Sequence, residues 1–281
     1  VEVSDISGHQ AACGYQLRGF CMDTAALRDF GSSRPVALVT GASRGVGIGA
    51  SIAAALAQSG WDLAVTFWRP YDASMPWGSD SDDIRLLGER LKACGARATA
   101  LEVDLSLVES PQQIFDAVEN ELGPVTALIL SHCHSVATDI LTTNVESFDL
   151  HFAVNARATW LLVREFGRRF CSGPGTGRIV AVTSDHTAGN LPYGASKGAM
   201  ERIVLAAARE FRGEGITANV VNPGATDTGW MTGELMDQVR RITLSGRVGT
   251  AEDCANIVRF LCSKEGGWIN GQLLYSNGGL E

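Results

Sequence analysis

Val36-Ala37-Leu38-Val39-Thr40-Gly41-Ala42-Ser43-Arg44-Gly45-Val46-Gly47 runs from a short apolar stretch into a glycine-rich turn. Ile48, Ile52, Ala55 and Leu56 follow at helical spacing. Strand, turn and helix in this order bring a helix N-terminus and bare backbone to one point, where a phosphate can be held. Gly41, Gly45 and Gly47 let the turn be tight and the ligand come close. Ser43 and Arg44 lie between them as further candidate contacts. The spacing is Gly-x-x-x-Gly-x-Gly, not the commoner Gly-x-Gly-x-x-Gly, and a plain glycine-rich connection would share its composition.

Downstream, Leu63 to Trp68 reads as a second strand. Many NAD sites place a carboxylate at the end of this strand to hold ribose hydroxyls. The end reads Phe67-Trp68-Arg69-Pro70, with no carboxylate before Asp72. Arg69, with Arg44 in the glycine turn, instead suits a 2′-phosphate, which points to NADP(H). Residues 70–80, rich in Pro, Gly, Ser and Asp, read as a loop. Asp80 to Cys94 reads as a helix. Ala98 to Val103 is a third strand ending in Asp104, which either bonds an adenine amino group or caps a turn. Ser110 to Leu122 is a helix opened by Ser-Pro.

Ala127 to Leu130 is the fourth strand and runs into Ser131-His132-Cys133-His134-Ser135. A metal reading of His-Cys-His fails, because adjacent side chains on a strand point apart and no second ligand cluster accompanies them. Asn144 to Phe170 reads as one long helix, with Phe148, Phe152, Asn155, Leu162 and Phe166 on one stripe. An asparagine on an apolar face needs partners, either structural ones or a held water. Ile179 to Thr183 is the fifth strand, followed by Ser184. Thr217 to Val221 is the sixth, ending in Asn222-Pro223-Gly224-Ala225-Thr226-Asp227-Thr228. Residues 229–246 read as a flap with a short helix, Glu252 to Cys262 as a helix and Gly271 to Tyr275 as a last strand.

Strand and helix patterns alternate about six times, the signature of an α/β fold: a Rossmann-type, doubly wound parallel sheet of about seven strands. Such a sheet returns every strand's C-terminal end to one rim, where ligands bind. The glycine turn, Arg69, Asp104, Ser131, Ser184 and Pro223-Gly224 all fall on that rim.

Between the fifth and sixth strands lies Tyr193-Gly194-Ala195-Ser196-Lys197. A phenol and an ammonium four residues apart share one helix face. A neighbouring Lys⁺ favours phenolate and lowers a pKa that starts near 10, giving an acid/base suited to carbonyl–alcohol interconversion.

With 281 residues, 45% hydrophobic and 19% charged, the chain has globular composition. We expect one catalytic domain over residues 34–281 and an N-terminal extension over 1–33. Net charge is −8 and no run of Lys or Arg occurs, so nucleic acid and anionic membrane are poor partners. No apolar run is long enough to span a bilayer, and the first residues lack a signal-peptide core. Seven scattered cysteines without Cys-x-x-Cys suggest reduced thiols and a cytoplasmic location.

Thr40-Gly41-x-x-x-Gly45-x-Gly47, Asn155, Ser184, Tyr193-x-x-x-Lys197 and Asn222-Pro223-Gly224 occur in order. This set resembles the short-chain dehydrogenase/reductase family, in the NADP(H)-using branch that includes 3-oxoacyl carrier-protein reductases. The resemblance covers residues 34–281. It implies Tyr193 as acid/base, Lys197 on the nicotinamide ribose and lowering the tyrosine pKa, Ser184 on the substrate oxygen and Asn155 supporting a relay water. It also implies Thr226 and Thr228 at the nicotinamide end and a homotetramer or homodimer.

The implied reaction is NADPH-dependent reduction of a ketone to a secondary alcohol. Its rivals are oxidation of an alcohol or sugar by the same residues, and a non-catalytic NADP(H)-binding sensor. Three features depart from the family pattern, one being that the flap over residues 229–246 carries nothing that names a substrate. Leu130-Ser131-His132-Cys133 stands where Asn-Asn-Ala-Gly is usual, implying a different link to the Asn155 helix. Ser184 precedes Tyr193 by only nine residues, implying a short loop and a wider cleft.

Overall fold

Val, Leu, Ile and Ala make up most of the strand residues, as expected where helices cover both faces of a parallel sheet. A computed structural model describes residues 34–173 and 175–280, so the expected extension over 1–33 lies outside the described residues. The strands are β1 (Val36–Thr40), β2 (Asp62–Phe67), β3 (Ala98–Glu102), β4 (Val125–Leu130), β5 (Gly177–Val182), β6 (Ile216–Asn222) and β9 (Leu273–Tyr275). They form one seven-stranded sheet in the order β3-β2-β1-β4-β5-β6-β9, with every pairing parallel. A separate two-stranded piece, β7 (Thr226–Asp227) with β8 (Gly249–Thr250), ties the base of the flap.

Alternation along β1 shows how one strand serves two cores. Val36 and Leu38 face Phe115, Leu162 and Phe166, while Ala37 and Val39 face Ile52, Leu56 and Leu91. The first core is covered by α4 (Ser110–Glu121), α6 (Ala158–Arg169) and α7 (Leu191–Glu210). The second is covered by α1 (Ile48–Gln58), α3 (Asp82–Ala93) and α9 (Ala251–Cys262). Strand order reverses between β1 and β4, which opens a crevice at their C-terminal ends.

Two expectations change. Residues 70–80 are not all loop, because α2 (Arg69–Ser74) forms there with Pro70 in its first turn, where a missing N–H costs nothing. The long helix is three segments: α5 (Val145–His151), a π-helical stretch Phe152–Arg157, and α6. A π turn adds a residue to the helical repeat and rotates what precedes it off the face. Accordingly Phe148 and Phe152 stack on each other, with centroids 4.6 Å apart, whereas Asn155, Leu162 and Phe166 are buried. The flap carries α8 (Gly233–Ile242), capped by the Thr232 hydroxyl. Among the described residues no helix is long and apolar enough to cross a membrane.

Candidate active site

The turn after β1 is shaped by close approach. Gly41 has φ +74°, and a Cβ there would lie 2.6 Å from the His132 Cα. The N-terminus of α1 has no side-chain cap and no acidic residue in its first turn. Its N–H groups and dipole are thus available to an anion, and the turn fits a nucleotide phosphate. Arg44 rises from this turn with its guanidinium carbon 4.7 Å from the Trp77 ring centroid.

His132, at the end of β4, is buried and joins three elements. The Thr40 hydroxyl donates to Nδ1 at 2.7 Å, Nε2–H donates to the Val154 carbonyl at 3.1 Å, and Thr40 in turn accepts from the Ser131 N–H. Burial, then the charge of Lys197, lowers its pKa from 6.5 to about 3, so the ring is neutral with its proton on Nε2. This is the different link to the Asn155 helix. Asn155 itself is fully buried. It donates to the His134 carbonyl (2.9 Å) and to Ser196 Oγ (2.8 Å), and accepts from the His134 N–H (2.7 Å). Both amide hydrogens are taken by protein partners. Ser196 passes the restraint on by donating to the Tyr193 carbonyl at 2.9 Å.

Tyr193 stands in the first turn of α7, just after Pro192. The Ser184 hydroxyl accepts from the His186 N–H at 3.2 Å and lies near enough to the Tyr193 phenol to favour its ionised form. The short connection does not hold the two apart: it folds back on α7, so that a side chain at Gly194 would run into the His186 carbonyl. Thr183 Oγ1 donates to Glu201 at 2.6 Å and fixes the end of β5 against the same helix.

Lys197 is buried, donates to the Val182 carbonyl at 2.8 Å, reaches the His132 carbonyl at 3.5 Å, and lies 5.8 Å from the Tyr193 ring centroid. Burial lowers the Lys197 pKa. Lys197 is expected to lower the tyrosine pKa, and burial acts on the phenol in the opposite direction. Burial raises Tyr193 above its ordinary value, nearby Cys133 adds to the rise, and the Ser184 hydroxyl only partly offsets it. Burial thus favours the protonated phenol, the form a proton donor requires.

Gly41, Ser43, Arg44, Gly45, Gly47, Ser131, Ser184, Tyr193 and Lys197 occupy the C-terminal ends of β1, β4 and β5 and the start of α7. Arg69 is engaged elsewhere: Nε and NH2 both donate to the Glu102 carboxylate. Asp104 accepts from the Ser106 N–H at 2.8 Å, closing a turn. The Thr226 hydroxyl is directed to the Pro223 and Gly224 carbonyls, and Gly224 takes φ +63° against Asn277. Thr228 lies beyond β7. Ser196 and the Tyr71–Trp77 segment escaped the sequence reading. Ser196 is an unremarkable small residue in a helix, and loop composition hid the aromatic pair.

A family model described as Enoyl-(Acyl carrier protein) reductase matches residues 41–281. The "Uncharacterized oxidoreductase YjdA" of Bacillus subtilis is 36% identical over 253 residues, covering 88% of this chain and 97% of that protein. An Arabidopsis thaliana protein named "NADPH-dependent aldehyde reductase-like protein, chloroplastic" is 35% identical, over 87% of this chain and 93% of its own. A short chain dehydrogenase from Burkholderia cenocepacia, solved in complex with NADP, superposes with TM-score 0.78 at 31% identity, over 89% of this chain and 98% of that one. The chain belongs to the short-chain dehydrogenase/reductase family of oxidoreductases.

Proposed function

We propose that the protein is a cytoplasmic NADPH-dependent reductase that converts a ketone to a secondary alcohol, with Tyr193 as proton donor. The observation that carries this reading is Tyr193 set one helical turn from the buried Lys197, whose Nζ lies 5.8 Å from the Tyr193 ring centroid and donates to the Val182 carbonyl at the end of β5, two residues before Ser184. The cofactor supplies hydride to the carbonyl carbon when bound. Tyr193 gives its proton to the carbonyl oxygen, and the Ser184 hydroxyl holds that oxygen against the phenol. Lys197 is available to the nicotinamide ribose and fixes the ends of β4 and β5 through the His132 and Val182 carbonyls. Asn155 and Ser196 set the height of Tyr193 rather than touching a substrate.

NADP(H) rather than NAD(H) is supported by Arg44 in the glycine turn. The Burkholderia structure with NADP and the Arabidopsis relative named for NADPH agree with that reading. All five described cysteines are free thiols, in keeping with a reducing compartment. A homotetramer or homodimer belongs to the same reading, by family resemblance.

The test is NADPH consumption with a panel of diketones, β-ketoesters and aldehydes. Turnover of at least one ketone with NADPH, and little with NADH, is the expected result. Nucleotide binding without turnover of any member would favour a sensor, and turnover confined to aldehydes would remove the ketone assignment.

A further inference from the structure

The connection between β2 and α3 forms a small aromatic assembly on the rim. Arg44 lies over the Trp77 ring at 4.7 Å from its centroid. The same indole donates from Nε1 to Asp72 Oδ1 at 3.0 Å, and Asp72 is 4% exposed. Tyr71 packs edge-on against Trp77, with centroids 6.4 Å apart. Its hydroxyl accepts from the Ser135 N–H (3.3 Å) and donates to the Ser135 carbonyl (3.2 Å). Ser135 Oγ accepts from Asn190, the residue that precedes α7. The segment is thereby pinned to the β4 connection at one end and to the glycine turn at the other.

We infer that Trp77 is a cofactor-selecting positioning residue, holding the Arg44 guanidinium aimed for the 2′-phosphate of NADP(H). A guanidinium stacks through its face and binds phosphate through the N–H groups in its plane, so the two contacts do not compete. An arginine already held in one orientation gives up less conformational freedom on binding. Trp77 also occupies Asp72, the first carboxylate after β2, which would otherwise be free to pair with Arg44 or repel a phosphate. Arg69, the other guanidinium after β2, is already taken by Glu102. Selection for the 2′-phosphate thus falls to Arg44, and its alignment falls to Trp77.

This inference rests on the proposed NADP(H) reading and is tested by equilibrium binding, not turnover. NADPH and NADH are titrated by nicotinamide fluorescence into the wild type, Trp77→Leu, Trp77→Phe, Arg44→Leu and the Arg44→Leu/Trp77→Leu double variant. Trp77→Leu should weaken NADPH about threefold to thirtyfold, the range of a cation–π contact, while NADH changes less than about twofold. Trp77→Phe, which keeps a ring face, should recover most of that loss. In the Arg44→Leu background Trp77→Leu should have no further effect on NADPH.

Equal weakening of both nucleotides, an unchanged NADPH affinity, or a loss that persists without Arg44 would each overturn the inference. Should Trp77→Leu be unfolded by circular dichroism, Trp77→Gln, which keeps a donor for Asp72 but no ring, takes its place with the same expectations. A wild type that binds neither nucleotide defeats the cofactor reading and this inference together. A wild type that prefers NADPH but is indifferent to Arg44→Leu defeats only the inference.

Discussion

Two side chains carry contrasting chemistry. Ser184 is expected to matter only when charge develops on the substrate oxygen. Ser184→Ala should lower kcat by roughly 10²–10³-fold and leave the NADPH Kd unchanged, as removal of an oxyanion donor does elsewhere. Equal kcat in wild type and variant would remove Ser184 from the chemistry.

His132 acts through its neutrality. Its pKa falls from 6.5 to about 3 on folding. Between those values the unfolded chain takes up a proton that the folded chain refuses, so stability falls as pH falls. From about pH 6.5 to pH 5 this amounts to roughly 2 kcal/mol. His134, lowered to about 4 by burial and by His151, adds in the same direction. His132→Gln should flatten the dependence of the urea midpoint on pH in this range by about one proton, whatever its stability near neutrality. An unaltered slope would show that His132 is not held neutral. From sequence the His-Cys-His run told only that adjacent side chains diverge. The structure gives the reason: His132 turns in to Thr40 and Val154, while the His134 ring meets His151 at 4.5 Å.

At the scale of elements, the π turn and the β1 turn decide whether the site is assembled. Asn155 sits inside the π stretch and satisfies both backbone groups of His134 as well as Ser196. Asn155→Leu leaves these buried groups without partners and should cost about 3 kcal/mol by urea unfolding. The variant should also lose turnover more than NADPH binding, because its effect reaches Tyr193 through Ser196. Gly41→Ala places a side chain at φ +74° against the His132 backbone. It should weaken nucleotide binding at least tenfold, an effect absent from Gly60→Ala, where φ is +90° but no atom lies within 4 Å. Hydrophobic spacing identified the long helical region but not its interruption. Phe148 and Phe152 fit a helical stripe by count, and only the inserted residue takes them off it.

For the whole molecule, the parallel sheet was legible because each strand is an apolar run followed by a helical period, and topology does the rest. Gly41 and the Ser184–Lys197 stretch, far apart in sequence, lie on one rim because every strand returns its C-terminal end there. What could not be read was side-chain pairing across that rim. Arg69 and Arg44 were equivalent in sequence, yet one is held by Glu102 and the other rests on Trp77. Nor did Tyr193 and Lys197, four residues apart, reveal that the lysine serves two carbonyls while burial favours the protonated phenol.

The proton-donor assignment is tested most directly by single-turnover oxidation of bound NADPH in wild type and Tyr193→Phe, read by nicotinamide absorbance after mixing with a ketone that the wild type accepts. The expected result is an NADPH affinity within about twofold of wild type and a hydride-transfer rate lower by roughly 10²–10⁴-fold. A rate within about tenfold of wild type at full NADPH occupancy would contradict it.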